Sequence, residues 1–334
     1  HAGWNRFTDA GVARWAPTLA AAGVRVVELP GCDLTAAGAA ALVDALAAGA
    51  PALQVLNLDH NAIGDGGGGA VARLVESHAG LTSVSLASCE LGIDAVIQLS
   101  SALAVTTSLQ HLNLSNPRIA TRNEEAAYHI ARALRTNRSL TSLVLRSWPH
   151  WTETSVASLC DYLLDNDGAL TDLDLSANRF AGPAGTTLAT ALIAGAGLRC
   201  LRLARCRVTD EGALAFATAL VRGCSLRELD VRHNSIGAVG LCALAEAITG
   251  RADGGGGGGD GGDGGDGGSG GGGGSGCALD VLLVEGNDLV AGGPGTTALG
   301  SLILDDATSC MLDVRPYIVD GVVHLGIAPL GGSS

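Results

Sequence analysis

The sequence predicts an α/β solenoid, a right-handed coil of strand–helix units with parallel strands on the concave face and helices on the convex face. Three observations predict this fold. A short apolar pattern recurs nine times, a stretch with helical periodicity follows each copy, and the two alternate through most of the 334 residues. Because each such unit contacts mainly its neighbours, we expect one elongated body rather than two globular domains.

The apolar pattern is clearest in residues 170–180, LTDLDLSANRF. Its first, fourth, sixth and last positions are apolar, and Asn178 occupies the ninth. Each copy predicts one short strand with its exit turn, too small to bury an apolar face unless it is stacked between neighbours. The copies start 28 to 31 residues apart, except for a last interval of 53 that contains a Gly-rich tract, at Val24, Leu53, Leu81, Leu109, Leu140, Leu170, Leu198, Leu226 and Leu279.

The stretches between these strands have helical periodicity. In residues 35–49, the apolar side chains of Ala39, Leu42, Val43 and Leu46 fall on one helix face. Glycines near the ends of such stretches, for example Gly195 and Gly223, predict left-handed C-caps. Equivalent helices are predicted over residues 71–77, 95–103, 123–134, 154–164, 186–192, 210–221, 240–248 and 296–304.

The ninth position of each copy, here called the turn slot, holds Asn or Cys in seven copies. An Asn at this bend can hydrogen-bond backbone groups that would otherwise lack a partner, and a Cys fits as a small, nearly apolar residue. Pro117 and Trp148 fill the slot in the fourth and fifth copies, which predicts irregular turns there; we expect Trp148 to belong to the core. The seven regular slot residues are Cys32, Asn61, Cys89, Asn178, Cys206, Asn234 and Asn287.

A period of 28 or 29 residues with Asn and Cys in the turn slot resembles the leucine-rich repeat consensus. Within it, the pattern is similar to the ribonuclease-inhibitor-like class, which NOD-like receptor sensor regions and the Ran GTPase activator share. The resemblance covers about residues 1–305. It implies a horseshoe whose concave face binds proteins, and it is far more specific for fold than for function, because the class has many unrelated partners.

We assign residues 1–310 to the solenoid, with nine full repeats and a partial one at the N-terminus, and residues 311–334 to a C-terminal cap. Residues 5–23 contain the second half of a further copy, so we expect more protein before His1. Two apolar runs around Asp320-Gly321 predict a β-hairpin that covers the last strand edge. Residues 253–276, Gly with a few Asp and Ser, cannot bury apolar surface and predict a disordered insertion.

The composition limits the partners. The net charge of −13 disfavours nucleic acid and anionic membranes as partners. The nine cysteines show no CxxC pair or zinc-ligand spacing, which favours reduced thiols in a cytoplasmic protein. No apolar run of membrane-spanning length is visible. All 20 basic residues are Arg, since the sequence contains no Lys.

Candidate binding residues lie between the leucines of copies five to eight, on the predicted concave face. Stacked strands lie about 5 Å apart, so Asp174, Arg202 and Asp230 should form a row of alternating charge. These ions either pair with each other and keep the face solvated, or form a docking patch; Arg146 beside Trp148 is an additional hot-spot candidate. The set is Arg146, Asp172, Asp174, Arg199, Arg202, Arg205, Glu228, Asp230, Arg232 and His233.

The sequence contains no nucleophile–base–orienter set at suggestive spacing, so we expect no catalytic residue, cofactor, metal or small-molecule substrate. The leading hypothesis is a non-enzymatic scaffold that binds a protein partner on its concave face, in the cytoplasm, with association with the cytoskeleton or a cilium as a variant. One alternative is a Ran-type GTPase activator, which the lack of a long acidic tail disfavours. The other is a ribonuclease inhibitor, which the concave Arg residues and the few aromatic residues disfavour.

Overall fold

The computed structural model describes residues 3–119, 125–149, 151–165, 169–180, 183–249, 279–304 and 308–328, so the predicted insertion at 253–276 lies outside the described residues. The strands are β1 Val26–Glu28, β2 Val55–Asn57, β3 Ser83–Ser85, β4 His111–Asn113, β5 Ser142–Val144, β6 Asp172–Asp174, β7 Cys200–Arg202, β8 Glu228–Asp230, β9 Val281–Leu283, β10 Met311–Leu312, β11 Val314–Val319 and β12 Val322–Ile327. The helices are α1 Thr8–Ala21, α2 Ala36–Gly49, α3 Gly64–Ser77, α4 Ile93–Val105, α5 Glu125–Leu134, α6 Glu153–Asp165, α7 Ala184–Ile193, α8 Asp210–Val221, α9 Ala238–Thr249 and α10 Pro294–Leu304.

Strands β1 to β10 form one parallel sheet in chain order, with a helix between each pair of successive strands. Each of β1 to β9 begins two residues after a predicted repeat start, which confirms the prediction of an α/β repeat solenoid. The middle residues of the strands are aligned in the register, as for Leu173 and Leu201. Strand β10 pairs with β9, so the parallel sheet includes two residues that the sequence analysis assigned to the cap.

One hydrophobic core runs through the described repeats. The middle residues of the strands point into it, and Leu56, Leu143 and Leu229 are fully buried. The helices cover the other side with their apolar faces, including the large side chains of Tyr162 and Phe216. Burying one such side chain stabilises the fold by roughly 1.5–3 kcal/mol, so the regular stacking of leucines provides most of the cohesion.

Helix α3 begins at Gly64, seven residues before the predicted start at residue 71. Its first turns consist largely of glycine, which has low helix propensity. Close packing explains the helix: a Cβ atom at Gly67 would lie 3.2 Å from the Cβ of Ala39 on α2, and one at Gly68 would lie 2.6 Å from the Cβ of Ala95 on α4. The glycines therefore let α3 approach both of its neighbours.

The residue directly before the turn slot adopts a left-handed conformation in all nine copies, and these residues form what we call the left-handed row. In the first eight copies its backbone N–H donates to a carbonyl of the next copy, as in His60 N to Ala87 O (2.8 Å) and Ala177 N to Ala204 O (2.7 Å). The row therefore adds a second line of inter-repeat hydrogen bonds beside the sheet. Its members are Gly31, His60, Ser88, Asn116, Ser147, Ala177, Arg205, His233 and Gly286, with φ between 54° and 73°.

The turn-slot side chains join consecutive repeats. The side-chain nitrogen of Asn178 donates to Leu145 O of the preceding copy (2.9 Å) and to Leu175 O of its own (2.7 Å), while its oxygen accepts from Trp148 N (2.7 Å). The Cys206 thiol donates to Leu175 O (3.1 Å), the corresponding carbonyl of its preceding copy. Bonds to the preceding copy are also made by Asn61 to Leu29, Cys89 to Leu58, Asn234 to Leu203 and Asn287 to Val231.

A buried carboxylate completes the sheet next to β10. Asp313 Oδ1 accepts a hydrogen bond from Val284 N (2.8 Å), and Oδ2 accepts one from Glu285 N (3.1 Å). In the preceding repeat the equivalent N–H, that of Val231, donates to the backbone oxygen of Leu283 (2.9 Å). The Asp313 side chain therefore replaces a strand carbonyl, and burial raises the pKa of this carboxyl group despite the hydrogen bonds that it accepts.

An antiparallel hairpin of β11 and β12 follows Asp313. Asp320 and Gly321 between its strands both have positive φ (51° and 78°), as a type I′ turn requires. Helix α10 approaches the hairpin closely, because a Cβ at Gly300 would lie 2.6 Å from Cγ1 of Val323.

Candidate binding surface on the concave face

The strand register places the predicted site residues in rows. Asp172, Cys200 and Glu228 occupy equivalent positions on β6, β7 and β8. Two residues later, Asp174, Arg202 and Asp230 occupy equivalent positions, which is the predicted row. Side chains two residues apart in a strand lie on the same side, so both rows line the concave face.

The remaining predicted residues lie beside these rows. Arg205 and His233 belong to the left-handed row, and Arg146 and Arg232 each immediately precede a residue of that row. Arg199 is exposed and precedes β7 by one residue, so it lies outside the positions that the strand register aligns. Arg199 therefore belongs to neither concave row.

Three ion pairs connect the concave charges. Arg202 Nε lies 2.9 Å from Glu228 Oε1. Arg232 contacts Asp230 twice, with Nε 3.0 Å from Oδ1 and a terminal nitrogen 2.7 Å from Oδ2. Arg146 Nε lies 3.9 Å from Asp174 Oδ2. The arginine of β7 thus contacts the diagonal neighbour Glu228, because Asp230 is bound by the arginine of its own copy.

Two of the carboxylates are much less exposed than the arginines, whereas Glu228, at 29%, is similar to them. The side chains of Asp174 and Asp230 are only 9% and 2% exposed, whereas those of Arg146, Arg202 and Arg232 are 56%, 36% and 33% exposed. Each buried carboxylate also accepts a backbone hydrogen bond, from Ser176 N and Arg232 N respectively. The carboxylates therefore lie at the base of the surface and the guanidinium groups lie above them.

The electrostatics of the cluster keep the guanidinium groups charged and the thiol protonated. Burial opposes the charged form of Arg202, but interactions with Cys200, Glu228 and Asp174 raise its pKa overall. The hydrogen bonds to Asp230 raise the pKa of Arg232. Burial raises the pKa of the Cys200 thiol to about 12, so it is not a thiolate nucleophile at neutral pH.

Comparison with known proteins bears on the identity of the repeats. The sequence model of the family described as Leucine Rich repeat matches residues 51–72, 198–217 and 224–245. Each matched stretch contains one concave strand and part of the helix that follows it. The chain is a leucine-rich repeat protein. No curated protein matches the full sequence.

Several solved structures match this chain at low sequence identity. The actin-binding site 2 of leiomodin-1 is 18% identical over 46% of this chain and 87% of its own, with a TM-score of 0.39. The C-terminal domain of tropomodulin from Caenorhabditis elegans is 16% identical over 46% and 92%, with a TM-score of 0.40. A chain of the yeast Rad7–Elc1 complex is 15% identical over 70% and 64%, with a TM-score of 0.45.

The aromatic residues near Arg146 belong to the interior of the leucine-rich repeat protein. Trp148 is buried, and its ring centroid lies 6.3 Å from that of Trp151, which in turn lies 6.2 Å from that of Phe180. The interpretation of Trp148 as core is therefore the correct one. Arg146 remains an exposed cation without an exposed tryptophan beside it.

Clefts also lie between convex helices of the leucine-rich repeat protein. A cleft of about 420 Å³ lies between α4 and α5, and one of about 340 Å³ lies between α6 and α7. Within the described residues, no group of three or more His, Cys, Asp or Glu could hold a metal ion. No helix in the described part of the chain has the length and apolar character needed to cross a bilayer.

Sequence reasoning omitted two features of the concave surface. One is Cys200, which lies between Asp172 and Glu228 in the register but carries no charge that would mark its position in the sequence. The difference in exposure between carboxylates and guanidinium groups was not visible either, because Asp and Arg at neighbouring strand positions look equivalent in a sequence. The spacing of Asp230 and Arg232 did indicate that these two residues could pair, since residues two apart share one side of a strand.

Proposed function

We propose that this leucine-rich repeat protein is a non-enzymatic scaffold that binds a protein partner through the concave face of repeats five to eight. The observation that supports it most directly is the group of exposed guanidinium groups above the buried carboxylates of Asp174 and Asp230. Exposed ion pairs contribute only about 0–1 kcal/mol, and burying carboxylates carries a desolvation cost. Fold stability is thus a weak reason for this arrangement, whereas recognition of a partner explains it.

A binding role also fits the chemistry of these groups. The Cys200 thiol is protonated at neutral pH, and the carboxylates of Asp174 and Asp230 are engaged by backbone N–H groups. Neither type of group is poised as a nucleophile or a general base.

We infer further that the repeats belong to the ribonuclease-inhibitor-like class and that the protein works in the cytoplasm. The class is supported by the helices of 10 to 14 residues between the described strands and by the Asn and Cys turn slots. The compartment is supported by free thiols, most of them buried in the core, at Cys89, Cys160, Cys200, Cys206 and Cys242.

The absence of Lys from the sequence provides a clean test. A single Lys can be introduced at Ser142→Lys on the concave strand β5, or at Ser101→Lys on the convex helix α4. Each variant is treated with an amine-reactive cross-linker in lysate of the source cell, and the parent gives the background from its terminal amine. We expect Ser142→Lys to cross-link a specific protein and Ser101→Lys to leave it at background.

The reverse pattern would show that the partner binds the convex face. Background labelling at both positions, with both variants folded, would contradict the scaffold function itself.

A further inference from the structure

We propose that the concave surface of repeats five to eight takes an acidic, extended polypeptide segment, whose carboxylates bind Arg146, Arg202, Arg205 and Arg232. This inference rests on the proposed function, since it names the chemical class of the partner for the same surface. It is supported by the pairing of the carboxylates within the protein, by the donors that the arginines keep, and by the spacing between the arginines.

Most carboxylates of this surface already accept hydrogen bonds from groups within the protein. Asp230 accepts two hydrogen bonds from the Arg232 side chain and one from its backbone N–H. Asp174 accepts from Ser176 N, and Asp172 Oδ2 accepts from the Thr171 hydroxyl (2.7 Å). Asp174 and Asp230 are buried as well as hydrogen-bonded and therefore cannot approach a cationic partner, whereas Asp172 is half-buried and Glu228 is paired with Arg202.

The arginines keep donors for a partner. A guanidinium group has five N–H donors. Arg202 contacts Glu228 through Nε, so its two terminal nitrogens remain available to another acceptor. Arg146 makes one long contact to Asp174, and more than half of its side chain is exposed. Glu228 and Asp174 hold these side chains in place and thereby reduce the entropy lost when a partner binds.

The left-handed row adds one further cation, Arg205, beside this surface. Arg205, which is exposed, follows Arg202 by three residues in the same repeat, with φ of 59°. In the next repeat His233 occupies the equivalent position, with its ring in the space left by the missing side chain of Gly286. Arg146 and Arg232 lie in repeats five and eight, so the cations extend across both flanks of Arg202.

The spacing of these cations sets the length of the segment. Parallel strands lie about 4.8 Å apart, so repeats five and eight are separated by about 15 Å along the sheet. An extended chain rises about 3.3 Å per residue, so about five residues cover this distance. Successive side chains of such a chain alternate, and a segment with Asp or Glu at every second position can place about three carboxylates on the arginines.

The charge of the whole chain makes this surface distinctive. The net charge of −13 repels anions at long range, so the attraction must be local. Binding should therefore require the specific arrangement of guanidinium groups rather than general basicity.

The experiment measures fluorescence anisotropy of a labelled eight-residue peptide with Glu at alternate positions, beside the same peptide with Gln. Arg205→Gln and the double variant Arg202→Gln/Arg205→Gln are compared with the control Arg14→Gln/Arg73→Gln on the convex helices α1 and α3. Arg205→Gln breaks no ion pair found in the structure, so it should fold normally. We expect the Glu peptide to bind about tenfold more tightly than the Gln peptide, and the double variant to lose about tenfold in affinity while the control keeps the parent value.

Equal binding of the two peptides, or an unchanged affinity in a folded double variant, would overturn the inference. So would tighter binding of a single-stranded oligonucleotide of equal length that the same substitutions abolish, because the surface would then recognise phosphates. The cross-linking experiment separates this from failure of the scaffold function. A partner captured at Ser142→Lys whose binding survives the double variant leaves the scaffold intact and removes only the acidic-segment assignment.

Discussion

The indole Nε1 of Trp148 donates a 2.8 Å hydrogen bond to the backbone oxygen of Leu114, one repeat earlier in the chain. Asn178 and Cys206 make the corresponding bond to the preceding repeat with an amide and a thiol. An aromatic side chain thus meets the same hydrogen-bonding need at the turn slot of repeat five, where it is buried.

This bond predicts different effects for two substitutions at Trp148. Trp148→Phe keeps most of the packing but leaves Leu114 O without its donor in the interior, so we expect a loss of about 1–3 kcal/mol of unfolding free energy. Trp148→Ala removes the ring as well and should cost about 3–5 kcal/mol. Urea unfolding followed by circular dichroism measures both. A Phe variant as stable as the parent would show that the bond contributes nothing.

The turn slots of repeats six and seven predict that replacing Asn178 destabilises the fold more than replacing Cys206. Asn178 is fully buried and joins Trp148 N, Leu145 O and Leu175 O, so Asn178→Ala should cost about 3 kcal/mol. Cys206→Ala removes thiol donation and little volume, and should cost about 1 kcal/mol. The same unfolding assay compares them, and equal losses would contradict the bridging role assigned to Asn178.

The left-handed row predicts a stabilising substitution. Ala177 has φ of 60°, a conformation that disfavours L-residues by roughly 1–2 kcal/mol, so Ala177→Gly should raise the unfolding free energy by about 0.5–1 kcal/mol. The control is Ala13→Gly on the exposed side of α1, which should lower it by about 1 kcal/mol. Thermal unfolding measures both. Destabilisation by both substitutions would mean that the backbone of Ala177 is not strained.

The buried carboxyl group of Asp313 predicts a pH dependence of stability. Burial raises its folded-state pKa above the ordinary value of 3.8, so between these two values the folded protein binds more protons than the unfolded chain. The stability contributed by protonation is therefore complete below pH 3.8 and is lost as the pH rises through the folded-state pKa. Asp313→Asn lacks this titration, so the parent should lose stability relative to the variant as the pH rises through that window.

The measurement is the difference in unfolding free energy between parent and Asp313→Asn from acidic to neutral pH, together with the carboxyl titration by NMR. A constant difference, or a titration midpoint at or below 3.8, would contradict a raised pKa.

The repeat starts were predictable because each strand carries leucines at fixed positions, and the aligned strands follow from the stacking that those leucines require. Strand β10 was missed because Ser309 stands where the other copies start with an apolar residue. The early start of α3 was missed because the glycines have low helix propensity, and only the neighbours Ala39 and Ala95 show why they are needed.

The concave surface was predictable as a set of positions but not as a set of contacts. The register follows from the repeat, so the row of Asp174, Arg202 and Asp230 could be derived. That Arg202 contacts Glu228 depends on side-chain conformations and on competition from Arg232 for Asp230, which no spacing rule describes. The disordered insertion and the domain boundaries stay predictions.

The left-handed row has a mechanical consequence. Repeats that are joined along a single line of hydrogen bonds can rotate about that line. Repeats that are joined along two adjacent lines resist such torsion. The strands supply one line of backbone bonds and the left-handed row supplies the other, while the convex helices meet through side-chain packing. We therefore expect that the convex helices can move apart or closer together, while the distances between residues on the concave face stay fixed.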